Sequence, residues 1–264
     1  MGLRWLLAVS AIAAAASLCG CRSSAGAVST VEVQAGPVLG DALTDLSEAY
    51  MAVHPRARIL PQASCPLCLL SVDATSEAPF DVVVSMGRGD INRFAAAGLI
   101  DASTIGEVGR TGLSIVVSPD SRLQIGSIED LASPEVKRVH LADPDTASLG
   151  VAARQALSNA GILAQVEPKM VDCRTGCEVL KTVALQEAEV GFVYSFCAEG
   201  GGRGQVQMAA RVPKDLYQPV PILIALSTSA SSDPEARGFR DYILSPAGRD
   251  ILRTHGITFP GQAP

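Results

Sequence analysis

The residues best equipped for chemistry in this sequence are seven cysteines, Cys19, Cys21, Cys65, Cys68, Cys173, Cys177 and Cys197. Four of them form close pairs, C-x2-C at Cys65/Cys68 and C-x3-C at Cys173/Cys177. Thiols at that spacing support three outcomes. In an oxidising compartment each pair closes a local disulfide and leaves Cys197 free. Reduced and ionised, Cys65, Cys68, Cys173 and Cys177 supply four thiolates to a soft metal or metalloid. Buried and protonated, they pack as small apolar groups. The histidines add nothing to a metal set: His54, His140 and His255 are isolated in the chain and read as structural or surface residues. Gly-x-Ser-x-Gly, His-Glu-x-x-His and Walker patterns are absent, so hydrolase and NTPase chemistry has nothing to rest on. Gly200-Gly201-Gly202-Arg203-Gly204 is a loop without the Lys-Ser/Thr pair of a phosphate cradle.

These residues must be positioned by an alternation of short apolar runs and helical repeats. Strands are predicted around residues 31–33, 81–85, 113–117, 139–142, 190–194 and 221–226. Helices are predicted from Leu39 to Tyr50, Ile91 to Leu99, Gly150 to Ala160, Cys177 to Gln186 and Pro234 to Thr254, the last broken near Ser245-Pro246. Arg88-Gly89-Asp90 reads as a turn. Near-continuous apolar strands between helices predict an α/β protein with mostly parallel sheet covered on both faces. A C-x2-C pair in such a chain also has the look of a thioredoxin-type redox dithiol. Against that, Pro61 and Pro66 bracket the pair, and Leu69-Leu70-Ser71-Val72 makes a weak helix.

Composition limits the rest. The chain has 264 residues, 48% hydrophobic, with a net charge of -6. That is enough apolar material for two modest lobes and too acidic for a nucleic-acid surface. Only the N-terminus has a long apolar run, from Trp5 to Leu18 after Arg4, as in a secretory signal. It ends in Leu18-Cys19-Gly20-Cys21, which is similar to a bacterial lipobox. Residues 1–20 then form a lipoprotein signal peptide, Cys21 is the acylated residue, and 21–29 are a lipidated tether to the membrane.

A set of blocks occurs in one order along the chain. It comprises Leu43-Thr44-Asp45-Leu46, Ala78-Pro79-Phe80-Asp81-Val82-Val83-Val84-Ser85 and Ala142-Asp143-Pro144-Asp145-Thr146. Gly191-Phe192-Val193-Tyr194, Tyr242-Ile243-Leu244-Ser245-Pro246-Ala247-Gly248 and residues 251–257 follow. Together they resemble the periplasmic molybdate-binding proteins of ABC importers. The resemblance implies a two-lobed type II periplasmic-binding-protein fold with the ligand cleft between the lobes. Lobe one would be 30–114 plus 219–264 and lobe two 115–218, with crossovers near 114–118 and 218–226.

The resemblance also implies a site. Val38 and Leu39 would offer amides from the first loop, and Ser64 and Cys65 stand in the family's serine-rich second loop. Leu149, Gly176, Cys177 and Tyr194 correspond to contacts from lobe two. Two departures weaken the match: Val38 has no hydroxyl where the family has a serine, and Cys65-Pro66-Leu67-Cys68 replaces serines. Cys65, Cys68, Cys173, Cys177 and Cys197 would all lie at the cleft. The implied ligand is molybdate or a similar tetrahedral oxyanion, and the implied partner is an importer permease. The protein would be a monomer outside the cytoplasm, in the periplasm or at the cell surface, with no cofactor, no nucleic acid and no catalysis of its own.

Overall fold

The computed structural model describes residues 28–64, 78–199 and 205–259. Its strands are β1 (Ser29–Ala35), β2 (Ala57–Ala63), β3 (Val82–Met86), β4 (Gly106–Thr111), β5 (Leu113–Val117), β6 (Val139–Ala142), β7 (Met170–Cys173), β8 (Val190–Tyr194), β9 (Gln207–Arg211) and β10 (Val220–Leu226). Its helices are α1 (Gly40–Val53), α2 (Arg88–Ala96), α3 (Ser148–Asn159), α4 (Leu163–Val166), α5 (Gly176–Ala184), α6 (Ser195–Glu199), α7 (Pro234–Leu244) and α8 (Pro246–Thr254). Arg88-Gly89-Asp90 is therefore the first turn of α2, not a free turn.

The strands divide into two sheets, β2-β1-β3-β10-β4 and β7-β6-β8-β5-β9. In each sheet four strands share one direction and one runs against them. The reversed strands are β10 and β5. Each is the strand by which the chain enters that sheet from the other. The crossings are short: Gly112 alone links β4 to β5, and residues 212–219 link β9 to β10. The sequence-based limit at 114/115 falls inside β5, because its apolar run hides where one sheet hands over to the next.

The apolar runs are continuous because both faces of a sheet are covered. In β10, Leu223 and Ala225 join Phe80, Val83, Ile91 and Phe94 under α2. The alternating residues Ile222, Ile224 and Leu226 belong to the larger core with Leu43 and Leu46 of α1 and Phe239 of α7. Phe94 is fully buried and meets Phe80 edge-on at 5.4 Å. Truncating such a ring to alanine costs about 3–5 kcal/mol.

Local signals set the helix ends. Asp233 accepts from the amides of Glu235 and Ala236, with Pro234 in the first helical position. Ser245 does the same for Gly248 ahead of Pro246, which splits the predicted long helix into α7 and α8.

Candidate functional site

β1 and β3 in the first sheet and β6, β7 and β8 in the second deliver their carboxyl ends to helix starts, the place where open α/β sheets hold ligands. From the first lobe, β1 runs into a 3-10 turn, Pro37–Leu39, and then α1. No side chain caps α1; the turn before it satisfies the amides of Leu39 and Gly40 through the carbonyls of Gly36 and Pro37. Val38 is half-buried at this turn, while the Leu39 side chain points into the core and its amide donates to the Gly36 carbonyl at 2.9 Å, so the expected Leu39 amide is already used within the turn. Ser64 follows β2. Its hydroxyl accepts from Gln34 Nε2 at 2.9 Å and so retains its own proton to donate. Cys65 and Cys68, like Cys21, lie outside the described residues.

From the second lobe, β6 turns through Asp143 into α3, which has no side-chain cap and no acidic residue in its first turn. Gly150 makes this approach possible: a Cβ there would stand 1.9 Å from the carbonyl oxygen of Ala142. The Leu149 amide is thereby brought to Tyr194 and donates to its Oη. β7 leads to Thr175, whose hydroxyl accepts from the Glu178 amide at 3.2 Å, while Glu178 Oε2 accepts from the Arg174 amide at 2.7 Å. This reciprocal cap serves Arg174 and Glu178 and leaves the amides of Gly176 and Cys177 at the exposed start of α5. A Cβ on Gly176 would touch Leu149 Cδ2 at 3.0 Å, so the starts of α3 and α5 are neighbours.

Tyr194 closes β8 and is only 5% exposed. Burial drives its phenol well above the ordinary tyrosine range, and the nearby Cys197 and Asp90 push the same way. It is therefore neutral and carries one proton to give. Asp90 reaches this point from the first lobe, at the start of α2. Burial raises its carboxyl, against the Ser85 hydroxyl that donates to it at 3.2 Å and the charge of Arg93.

A cavity of about 240 Å³ joins the lobes. Val38, Asp41 and Ala42 line it from one side, and Cys177, Leu180, Phe196 and Cys197 from the other, with His255 and Ile257. Burial raises the thiols of both Cys177 and Cys197, which keeps them protonated at neutral pH. Elsewhere the lobes touch directly. The Arg93 guanidinium donates to the Asp145 carbonyl at 2.6 Å, and Gly87 (φ +83°) sits so close to Ser148 that a Cβ would fall 2.0 Å from its Oγ.

Two sequence-based expectations fail here. Cys173 does not face the cleft. It is buried in the second lobe, its sulfur 3.5 Å from His140 Nδ1, and burial lifts its thiol to about 11. Cys173, Cys177 and Cys197 are all free thiols, so the 173/177 disulfide is not formed. Among the described residues no three His, Cys, Asp or Glu side chains gather as a metal-ligand set. His255, expected to be a bystander, lines the cavity while its Nε2 bonds Asp45 at 2.8 Å. Asp90 and His255 were the residues that sequence reasoning missed, and nothing in their spacing marks them.

Two α/β lobes, joined by two crossings and meeting over helix N-termini, define a type II periplasmic-binding-protein architecture. Residues 31–258 match the family of bacterial extracellular solute-binding proteins, and the chain belongs to it. A segment of 122 residues is 30% identical to the molybdate-binding protein ModA of Rhodobacter capsulatus, covering 46% of this chain and 47% of that protein. The chain thus spans about half the length of that relative. ModA of Haemophilus influenzae is 24% identical over 253 residues, 94% of this chain and 97% of that protein. Among solved structures, the periplasmic molybdate-binding protein of Azotobacter vinelandii has a TM-score of 0.72 at 17% identity, covering 87% of this chain and 99% of that one. The sulfate-binding protein SubI of Mycobacterium tuberculosis H37Rv gives 0.72 at 16% identity, covering 88% of each chain.

Proposed function

We propose that this chain is the extracytoplasmic solute-binding component of an ABC importer, and that it holds a tetrahedral dianion of the molybdate or tungstate kind between its lobes. The observation that carries the proposal is the meeting of the α3 and α5 starts with the neutral phenol of Tyr194. Helix N-termini present unpaired amides and about half a positive charge each, which suits an anion without any basic side chain. Each hydrogen bond to a charged oxygen contributes about 1.5–3 kcal/mol. The amides of Leu149, Gly176 and Cys177 and the hydroxyls of Tyr194 and Ser64 are the donors, with the Val38 amide completing the ring. Protonated Cys177 and Cys197 remove the repulsion that thiolates would exert on a dianion.

The ligand would close the lobes by binding the closed state better, about crossings at Gly112 and 212–219. The closed protein, a monomer held to the membrane through lipid on Cys21, would then present its cargo to a permease; it performs no chemistry on the cargo. Calorimetry of the reduced protein with molybdate tests this: one ion bound per chain is expected, with a fall in the radius of gyration by small-angle scattering. No heat with molybdate, tungstate, sulfate or phosphate would overturn it.

A further inference from the structure

The cleft does not end at the oxyanion position. From Val38 and Cys177 it continues into the 240 Å³ cavity, whose walls are the carbon faces of Val38, Ala42, Leu180, Phe196 and Ile257. A single water occupies only about 10–15 Å³ of such space, so a five-atom oxyanion seated at the helix starts leaves most of it unfilled. Beyond the Val38 and Cys177 amides where it meets the helix starts, these carbon faces offer that anion no donors. Val38 stands at the junction and presents two methyl groups where the resemblance calls for a hydroxyl. Cys177 and Cys197, kept protonated by burial, act as further apolar surface, and Cys197 has no hydrogen-bond partner among the described residues. Apart from the thiols, the polar side chains of the cavity are His255, whose Nε2 bonds Asp45, and Asp41, which is exposed to water.

We infer that this compartment is a subsite for one apolar substituent on the bound oxyanion, so that the chain takes alkylphosphonates or phosphate monoesters in preference to the bare ion. The inference rests on the oxyanion reading of the cleft. The head would occupy the amides at the starts of α3 and α5 with Tyr194, and the hydrocarbon would lie against Val38, Leu180 and Phe196.

The test is a calorimetric series on the reduced, full chain with molybdate, inorganic phosphate, and methyl-, ethyl- and propylphosphonate. Each added methylene should tighten binding about fourfold, the fold-change equivalent to ~0.8 kcal/mol of apolar transfer. Leu180→Asn should flatten that gradient and leave the molybdate affinity within about twofold, with a thermal melt confirming that the variant is folded. The wild-type series decides the matter even if the variant fails to fold. Phosphate binding as tightly as propylphosphonate would overturn the subsite, as would 3-aminopropylphosphonate binding more tightly than propylphosphonate, which would assign the compartment to Asp41. Molybdate binding with a flat gradient sinks the subsite alone. Failure of every anion, molybdate included, sinks the oxyanion reading with it.

Discussion

Replacing Tyr194 by phenylalanine removes one oxygen that serves two partners in turn. In the unliganded protein that oxygen accepts the Leu149 amide, and both residues are buried. Without it the amide is orphaned, which costs about 1–3 kcal/mol. At roughly 2–4 °C per kcal/mol for a domain of this size, the melting temperature should fall by about 2–12 °C. In the liganded protein the phenol's proton no longer reaches the anion, a loss of about 1.5–3 kcal/mol, but the anion now satisfies the Leu149 amide. The ligand repairs part of the damage. Binding should therefore weaken by less than the bond it loses, at most about 2 kcal/mol or roughly 30-fold. Differential scanning calorimetry with and without molybdate, beside isothermal titration, separates the two effects. An unchanged melting temperature would refute the Leu149 bond. A lowered melting temperature with unchanged affinity would reduce Tyr194 to a strut. The pH profile adds a check. The folded phenol is raised above its unfolded value near 10, so its contribution is complete below pH ~10 and is lost as pH rises beyond that. The phenylalanine variant should lack this alkaline component.

Three other outcomes are expected. Gly87→Ala puts a Cβ 2.0 Å from Ser148 Oγ, on a backbone that costs a non-glycine residue about 1–3 kcal/mol, so the lobes should fail to meet and ligand affinity should drop. Ser148→Gly in the same chain should restore part of that affinity, and no drop in the single variant would contradict the contact. Asp90 has its folded pKa raised by burial, so its contribution is present below its unfolded pKa and is lost as pH rises through the folded one. Asp90→Asn should then raise the melting temperature at pH 7 but not at pH 3, and tighten dianion binding by removing a charge near Tyr194; equal shifts at both pH values would argue against this. Cys21→Ala should release an unacylated, soluble protein, and its retention on membranes after a high-salt wash would count against the anchor.

The interior was easier to read than the cleft. Runs such as Leu113–Val117, Val190–Tyr194 and Val220–Leu226 declare burial on both faces, and burial depends on composition alone. Direction does not, which is why the reversal of β5 and β10 could not be seen. β2 escaped notice because Pro61 argues against a strand; the strand lies at a sheet edge, where a missing amide is tolerated. β4 escaped because Gly106–Thr111 carries Glu107 and Arg110, which pair with each other at 2.6 Å. At the cleft, C-x3-C suggested a joint role, yet the spacing straddles a strand end and a helix start. Cys173 goes inward beneath α5, and Cys177 turns out to the cavity. His255 and Asp90 arrive from elements far along the chain, and only tertiary packing brings them near.

The place of β10 between β3 and β4 governs the order in which this protein can assemble. As the chain emerges from its N-terminus, β1, β2 and β3 can associate, but β4 has no neighbour of its own in that sheet. Residues 113–211, by contrast, contain every strand of the second sheet without interruption. The lobe begun second is therefore the first that can be finished. Until residues 220–226 appear, β3 offers an open, mostly apolar edge of the kind that recruits strands from other molecules. β10 then bridges two strands of distant sequence, with Leu223 opposite Ser85 on one side and Glu107 on the other. Such non-local pairing is slow, and a chain stalled before it would hold one completed lobe and one adhesive half-sheet.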